Sequence, residues 1–302
     1  MSKIIFIVGP TASEKTEVSF SLARHLNCEI ISCDSMLIYK EPRIITSKPY
    51  SYIRKKIKHH FIDIISVKDA YSVFDYYKKA TKRIIALFNK GKSVIVCGGS
   101  GLYVKTLCDG LFDDPPKDEN LRKDLEKKAK TKGNQSLHKE LESVDEKTAA
   151  KLSPNDLRRI IRALEVYYLT GVPISEKKAQ TRGLYTRYPI KMFAFSYKRD
   201  TLYERINKRT EEMFAEGVID EVRRLRKIGL SFTAEKIIGI KEISEYLDNK
   251  VDKSLAKENM KRNTRRFAKR QLTWFKADKR IEWIGAESLS ADNLKDEILK
   301  KI

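Results

Sequence analysis

Gly9-Pro10-Thr11-Ala12-Ser13-Glu14-Lys15-Thr16 stands between an apolar run, Ile4-Ile5-Phe6-Ile7-Val8, and a stretch with apolar residues at helical spacing. Strand, turn, Lys-Thr and helix in that order is the layout of a phosphate-binding loop of the nucleotide- (ATP-) binding type. Its backbone N–H groups and the helix N-terminus behind them make a cradle for an anion. Lys15 adds a point charge to the phosphate and Thr16 a hydroxyl for Mg²⁺. Glu14 occupies the place that the usual pattern gives to glycine. Residues 14–26 fit a helix with Val18, Leu22, Ala23 and Leu26 on one face. Glu29-Ile30-Ile31-Ser32-Cys33 then reads as a second strand, ending in Asp34-Ser35-Met36. Two such units in so short a span predict an α/β fold with a parallel sheet, whose ligands gather at the carboxyl ends of the strands. A carboxylate at such an end, Asp34, can hold Mg²⁺ or take a proton from a nucleophile. The plain alternative is a helix-cap or turn aspartate.

Further along, residues 70–90 read as a helix ended by Gly91. Ser93-Val94-Ile95-Val96-Cys97 is a third strand, apolar throughout as a buried parallel strand should be. It runs into Gly98-Gly99-Ser100-Gly101-Leu102-Tyr103, where glycines allow close approach of backbone to ligand and Ser100 offers a hydroxyl. Asp113-Asp114-Pro115-Pro116 breaks the pattern, and the chain to residue 189 is charged, helical and without clear strands. The fold expected is therefore a P-loop-type parallel sheet flanked by helices, from residues 1–112 and 190–302, with a helical insertion domain at 113–189. Within the insertion, Ser153-Pro154 reads as a helix start, and Arg158, Arg159 and Arg162 share a face. Beyond it come a strand at 190–196 and a helix capped by Asp200 and closed by Gly217, with Arg205 and Arg209 on one face. Helices follow at 218–229, 235–248 and 253–276, then a strand at 281–284. The helix at 253–276 is strongly basic, through Lys261, Arg262, Arg265, Arg266, Lys269 and Arg270, and carries Trp274 and Phe275 near its end. Basic residues mixed with aromatics can grip a single-stranded loop. A solvated basic face with core aromatics is the bland alternative.

The 302 residues include 62 Lys and Arg against 41 Asp and Glu, a net charge of +21. That excess points to a polyanionic partner, nucleic acid ahead of an anionic membrane. No apolar run approaches the ~20 residues of a membrane span. No signal peptide or membrane association is expected, and the location expected is the cytoplasm. Cys28, Cys33, Cys97 and Cys108 show neither metal-ligand nor pairing spacing and read as reduced, mostly buried thiols. His59-His60 reads as structural.

These pieces together resemble the bacterial-type tRNA dimethylallyltransferases, also called tRNA isopentenyltransferases. The matching stretches are residues 9–13 with Lys15-Thr16; Asp34-Ser35-Met36 with Tyr39; residues 98–103; Asn155-Asp156 with 158–166; Tyr203, Arg205-Ile206, Arg209, Met213, Gly217 and Glu221-Val222; Lys241-Glu242; and Ala268-Lys269-Arg270-Gln271-Leu272-Thr273-Trp274. They run in family order over nearly the whole length. The resemblance implies transfer of a dimethylallyl group from its diphosphate to N6 of the adenosine 3′-adjacent to the anticodon, with Mg²⁺ assisting and diphosphate leaving. It implies that residues 9–16, with Arg209, hold the isoprenoid diphosphate, that Thr16 meets the metal, and that Asp34, Ser100 and Lys15 carry the chemistry. It places tRNA contacts at Asp34, Ser35, Met36, Leu37 and Ser100, at Arg122, at Arg158, Arg159, Ile160, Ile161 and Arg162, and at Lys261, Arg262, Arg265 and Arg266. The anticodon stem-loop is the implied partner, and a monomer is expected. Family members usually carry Gly at the position of Glu14, Thr at that of Ser100, and Ile-Gly-Thr-Ala-Lys where this chain has Ile44-Ile45-Thr46-Ser47-Lys48. The Glu14 carboxylate at ~5 Å from the anion would cost roughly 3 kcal/mol at an effective dielectric of ~20, about a hundredfold in affinity, unless it turns to solvent or joins a metal, so impaired donor binding is an expectation. The rival readings are a P-loop kinase or NTPase, a non-catalytic RNA-binding relative, and an enzyme prenylating free adenine nucleotides.

Overall fold

The protein is described here from a computed structural model covering residues 2–112 and 115–302. The chain divides into two compact units, one of residues 1–108 and 187–302, the other of residues 109–186. The break expected at Asp113-Asp114 falls outside the described residues.

The first unit is built on six parallel strands: β1 (Ile4–Val8), β2 (Glu29–Ser32), β3 (His59–His60), β4 (Val94–Gly98), β5 (Ile190–Ser196) and β6 (Ile281–Gly285), in the order β3-β2-β4-β1-β5-β6. All five residues of β1 are buried, as a strand covered by helices on both faces requires. β4 lies between β1 and β2, in register Val8 with Gly98 and Ser32 with Cys97. The carboxyl ends of β1, β4 and β2 therefore open side by side.

Four helices interleave with the first strands: α1 (Lys15–His25), α2 (Ser51–Lys56), α3 (Val73–Phe88) and α4 (Gly101–Asp109). The helical unit contains α5 (Glu119–Lys132), α6 (Asn134–Val144), α7 (Glu146–Ala149), α8 (Leu157–Thr170) and α9 (Ile174–Ala179). The first unit resumes after β5 with α10 (Arg199–Ala215), α11 (Val218–Ile228), α12 (Ile240–Leu247) and α13 (Lys253–Lys276), and ends on α14 (Ala291–Leu299) after β6. One core layer packs Val18, Leu22 and Ala23 of α1 and Leu294 and Ile298 of α14 on Ile5, Ile7, Phe193 and Phe195 of the sheet. The helical unit has its own core around Leu137, Leu141, Ile160 and Leu164.

Three expectations shift. Ser153-Pro154 does not start α8, because the chain turns first and Asp156 is the residue before the helix. The helix after β5 begins at Arg199, one residue before Asp200. The segment at 235–248 splits into a 3₁₀ turn, Ala234–Lys236, and α12, since Gly239 at φ 103° interrupts it. The two-residue strand β3 carried no periodic signal. At that sheet edge His60 Nε2 meets Glu29 Oε2 at 2.5 Å and Arg83 joins at 3.2 Å, a structural cluster.

Candidate active site

Residues 9–14 leave β1 in a tight loop. Gly9 has φ 132°, Ala12 62° and Glu14 57°, so left-handed residues recur through it. Left-handed residues of that kind recur in anion-binding backbone nests, and here the Thr11 N–H is taken by Gln271 Oε1 at 2.9 Å. Ser13 closes the loop on itself by donating to Pro10 O at 2.8 Å, and α1 starts at Lys15. The Lys15 ammonium donates to Pro10 O and lies 3.3 Å from Ser13 Oγ. Burial draws its pKa down to about 8, against the opposing pull of Cys97 and Asp34. Arg209, from α10, donates to Thr11 Oγ1 at 2.5 Å. Burial lowers its pKa as well, while Asp34 raises it. Two cations and one carboxylate thus act on each other at the mouth of β1.

Asp34 follows β2. Its Oδ1 accepts the Met36 N–H at 2.8 Å, an Asx turn. Asp34 therefore makes a turn, as the plain alternative has it. Ser100, after β4, accepts the Ser35 N–H at 2.9 Å and lies 3.2 Å from Ser35 Oγ, while its own N–H donates to Cys33 O at 3.1 Å. Ser100 thereby fixes the turn that carries Asp34. Below it Tyr76 of α3 donates to Ser32 O at 2.9 Å and stacks on Tyr103 of α4 at 3.9 Å. Leu37 O accepts from Asp63 N–H at 3.1 Å.

Gly98 is required by contact with backbone, and the space beside Gly99 and Gly101 is filled by side chains of α13. A Cβ on Gly98 would lie 2.1 Å from the Cys33 carbonyl oxygen, one on Gly99 2.3 Å from Gln271 Nε2, and one on Gly101 2.4 Å from the Trp274 ring. No acidic side chain fits at Gly98, which disfavours a kinase or NTPase that needs an acid at that strand end. Gln271 of α13 is buried and joins the two loops: its Oε1 accepts Thr11 N–H at 2.9 Å and its Nε2 donates to Gly99 O at 2.9 Å. Nothing in the sequence pattern singled out its role. Glu221 is a second carboxylate that spacing did not mark. It is buried and accepts the N–H groups of Arg43, Ile44 and Ile45 at 2.7, 3.0 and 2.8 Å, so the departure at Ile45 is a buried residue in a well-held loop.

Glu14 is not an unpaired charge beside the loop. Its carboxylate lies 2.5 Å from Arg205 Nη2 and accepts the Tyr197 hydroxyl at 2.9 Å. The repulsion expected from an isolated carboxylate does not apply to a paired one.

The residues expected at RNA divide. In α13, Arg262 and Arg266 are exposed, although Arg262 also bonds Asn259 Oδ1 at 2.7 Å. Lys261 is 13% exposed and paired with Glu211 at 2.5 Å and Glu258 at 2.7 Å. Arg265 donates to Asn207 Oδ1 at 2.6 Å. Arg266, Lys269, Arg270, Thr273 and Trp274 line a groove of about 530 Å³. Trp274 is 43% exposed there, whereas Phe275 is in the core. In the helical unit Arg158 and Arg159 are exposed. Ile160 and Ile161, by contrast, are core residues, at 0% and 6% exposure, which removes their side chains from any RNA contact. Arg122 and Arg162 converge on the buried Glu165, Arg122 through bonds of 2.9 and 2.8 Å and Arg162 at 2.5 Å, so both have structural duties. Burial opposes the Glu165 charge, yet these partners hold its pKa down at about 2. Among the described residues no cluster of three or more His, Cys, Asp or Glu forms a metal site, and no helix is long and apolar enough to cross a membrane.

The sequence profile of the IPP transferase family matches residues 37–278. This chain belongs to the IPP transferase family. It is 41% identical over 285 residues to a tRNA dimethylallyltransferase of Geobacter sulfurreducens, covering 94% of this chain and 92% of that one. It is 42% identical over 299 residues to one from Carboxydothermus hydrogenoformans, covering 98% and 96%. The crystal structure of a tRNA isopentenylpyrophosphate transferase from Bacillus halodurans superposes with a TM-score of 0.74 at 37% identity, over 100% of this chain and 95% of that one. A eukaryotic dimethylallyltransferase captured acting on tRNA gives 0.84 at 27% identity, over 99% of this chain and 78% of that one. The family profile begins after residues 9–16 and Asp34, and the structural match extends across them.

Proposed function

We propose that this chain modifies tRNA, moving a dimethylallyl group from dimethylallyl diphosphate to N6 of the adenosine 3′-adjacent to the anticodon and releasing diphosphate. The observation that carries this proposal is the pair of cations on the loop after β1, Lys15 and Arg209, both within electrostatic reach of Asp34 after β2, in a family whose full-length relatives are tRNA dimethylallyltransferases. The loop at 9–14 and the N-terminus of α1 receive the diphosphate. Lys15 and Arg209 answer the charge that builds on it as the carbon–oxygen bond breaks. The electron pair leaves with the diphosphate, the N6 lone pair forms the new bond to carbon, and Asp34 takes the proton that N6 sheds. Ser100 keeps Asp34 in place through Ser35. Thr16, at the N-terminus of α1, is the residue that would hold Mg²⁺ through its hydroxyl, with the ion bound otherwise largely through substrate oxygens. When bound, the ion supplies charge neutralisation at the leaving group.

The RNA side of the proposal rests on the groove along α13. Its Trp274 ring packs on Gly101, next in sequence to Ser100. An unpaired base drawn out of the anticodon loop meets an aromatic plane, and the flanking phosphates meet Arg266, Lys269 and Arg270. Diphosphate release from dimethylallyl diphosphate tests the proposal. Release that requires both Mg²⁺ and an unmodified anticodon stem-loop supports it. Turnover of ATP without either substrate would move the assignment to a kinase or NTPase. Equal prenylation of free AMP would remove the RNA from it.

A further inference from the structure

Glu14 sits where a left-handed backbone is needed, at φ 57° and ψ 13° just before α1. A non-glycine residue is strained in that conformation, and its carboxylate adds a negative charge to an anion-binding loop. Both liabilities meet one side chain. Arg205 donates from Nε to Ala12 O at 3.0 Å and from Nη2 to Glu14 Oε1 at 2.5 Å. Ala12 is the other left-handed non-glycine residue of the loop, at φ 62°. The fork of one guanidinium therefore spans both unfavourable residues. Tyr197, from the end of β5, donates to the other Glu14 oxygen at 2.9 Å, and the Arg205 guanidinium lies 5.1 Å from its ring centre. One turn along α10, Arg209 holds Thr11. A single helix thus braces the loop at residues 11, 12 and 14.

We propose that Glu14 and Arg205 form a matched pair, in which Arg205 neutralises Glu14 and the pair together holds the phosphate loop in its binding shape. Glu14 is then a positioning residue; Arg205, which also matches relatives that carry Gly at that place, braces Ala12 O and in this chain has the added and larger task of neutralising Glu14. This rests on the proposal that residues 9–16 bind the donor's diphosphate. Neither side chain is assigned to the departing group itself; both act through the loop.

A double-mutant cycle in the full chain tests it: the parent, E14G, R205M and E14G/R205M, with binding of inorganic diphosphate in Mg²⁺ read by calorimetry and melting temperature read in parallel. R205M is expected to weaken diphosphate binding at least tenfold when Glu14 is present and less than threefold in the E14G background. An equal loss in both backgrounds would overturn the pairing, because Arg205 would then be acting on the anion directly. R205K, which keeps the charge but loses the fork, is expected to fall between the parent and R205M. If the parent binds no diphosphate, the assignment of the site fails, and the pairing is decided by the melts. Non-additive melting shifts across the cycle sustain the pair, and additive ones refute it.

Discussion

Replacing Gln271 with alanine is the perturbation that most directly probes how the site is assembled. The side chain is 6% exposed and makes two bonds of 2.9 Å, one to Thr11 N–H in the phosphate loop and one to Gly99 O in the loop after β4. Q271A leaves a partly buried donor and a buried acceptor without partners, at about 1–3 kcal/mol each. Water entering the gap would recover part, so a net loss of ~2–4 kcal/mol is expected. For a chain of this size that is a melting shift of roughly 3–6 °C. The functional effect should exceed the stability effect. Thr11 is also held by Arg209, so releasing its backbone loosens the loop on the side facing the diphosphate. The expected kinetic signature is a raised donor KM with a smaller change in kcat. Q271E separates the two bonds: the acceptor for Thr11 survives, the donor to Gly99 is lost, and a negative charge enters the site. The new oxygen would face the Gly99 carbonyl as a buried charge, so its melting shift should be at least that of Q271A, with a larger rise in donor KM. A Q271A protein that melts within a degree of the parent and keeps its donor KM would refute the assignment of Gln271 as the tie between the two loops.

Other consequences follow from the same geometry. Lys15, with its pKa drawn down to about 8 in the free protein, is the cation that diphosphate needs, so kcat/KM for the donor should fall with unit slope as pH rises above about 8. K15R should remove that limb, and a parent profile flat to pH ~9.5 would contradict it. Glu165 has a folded pKa near 2 against an ordinary 4.5. A depressed carboxyl pKa stabilises fully above the unfolded value and loses that contribution as pH falls toward the folded one. The helical unit should therefore lose helicity between about pH 4.5 and 2, and E165Q should blunt that transition in circular dichroism. Removing the charges of Arg266, Lys269 and Arg270 together should reduce the salt slope of anticodon stem-loop binding by about 2, at ~0.7 per single-strand phosphate contact. An unchanged slope in a filter-binding titration would place the RNA elsewhere.

The sheet was legible because buried parallel strands leave continuous apolar runs. β1, β4 and β5 lie close to where those runs sit, and the long helix α13 matches its basic stretch from end to end. The anion loop was legible because strand, Gly-rich turn and Lys-Thr occur in one contiguous segment. What stayed hidden depends on contacts between distant segments. Gln271 reaches Thr11 across 260 positions, and Glu221 reaches Arg43 across 178. Glu14 was read as a liability because its partner lies 191 positions away, in Arg205. Arg122 entered the RNA-facing set through the resemblance and Arg162 also through its helical face, and only the buried Glu165 between them shows that they serve the core of their own unit. Ile160 and Ile161 entered the RNA-facing set through position in a motif, although the apolar periodicity of their own helix already pointed them inward.

The proposed reaction makes a single bond, dimethylallyl carbon to adenosine N6, with Asp34 accepting the proton. Incubating the protein with dimethylallyl diphosphate, Mg²⁺ and unmodified tRNA, then digesting the RNA and weighing its nucleosides, reads that bond directly. N6-isopentenyladenosine is expected with the parent protein and is expected to fall at least a hundredfold in rate with D34N. Tight tRNA binding with no isopentenyladenosine, or product formed as fast by D34N as by the parent, would contradict it.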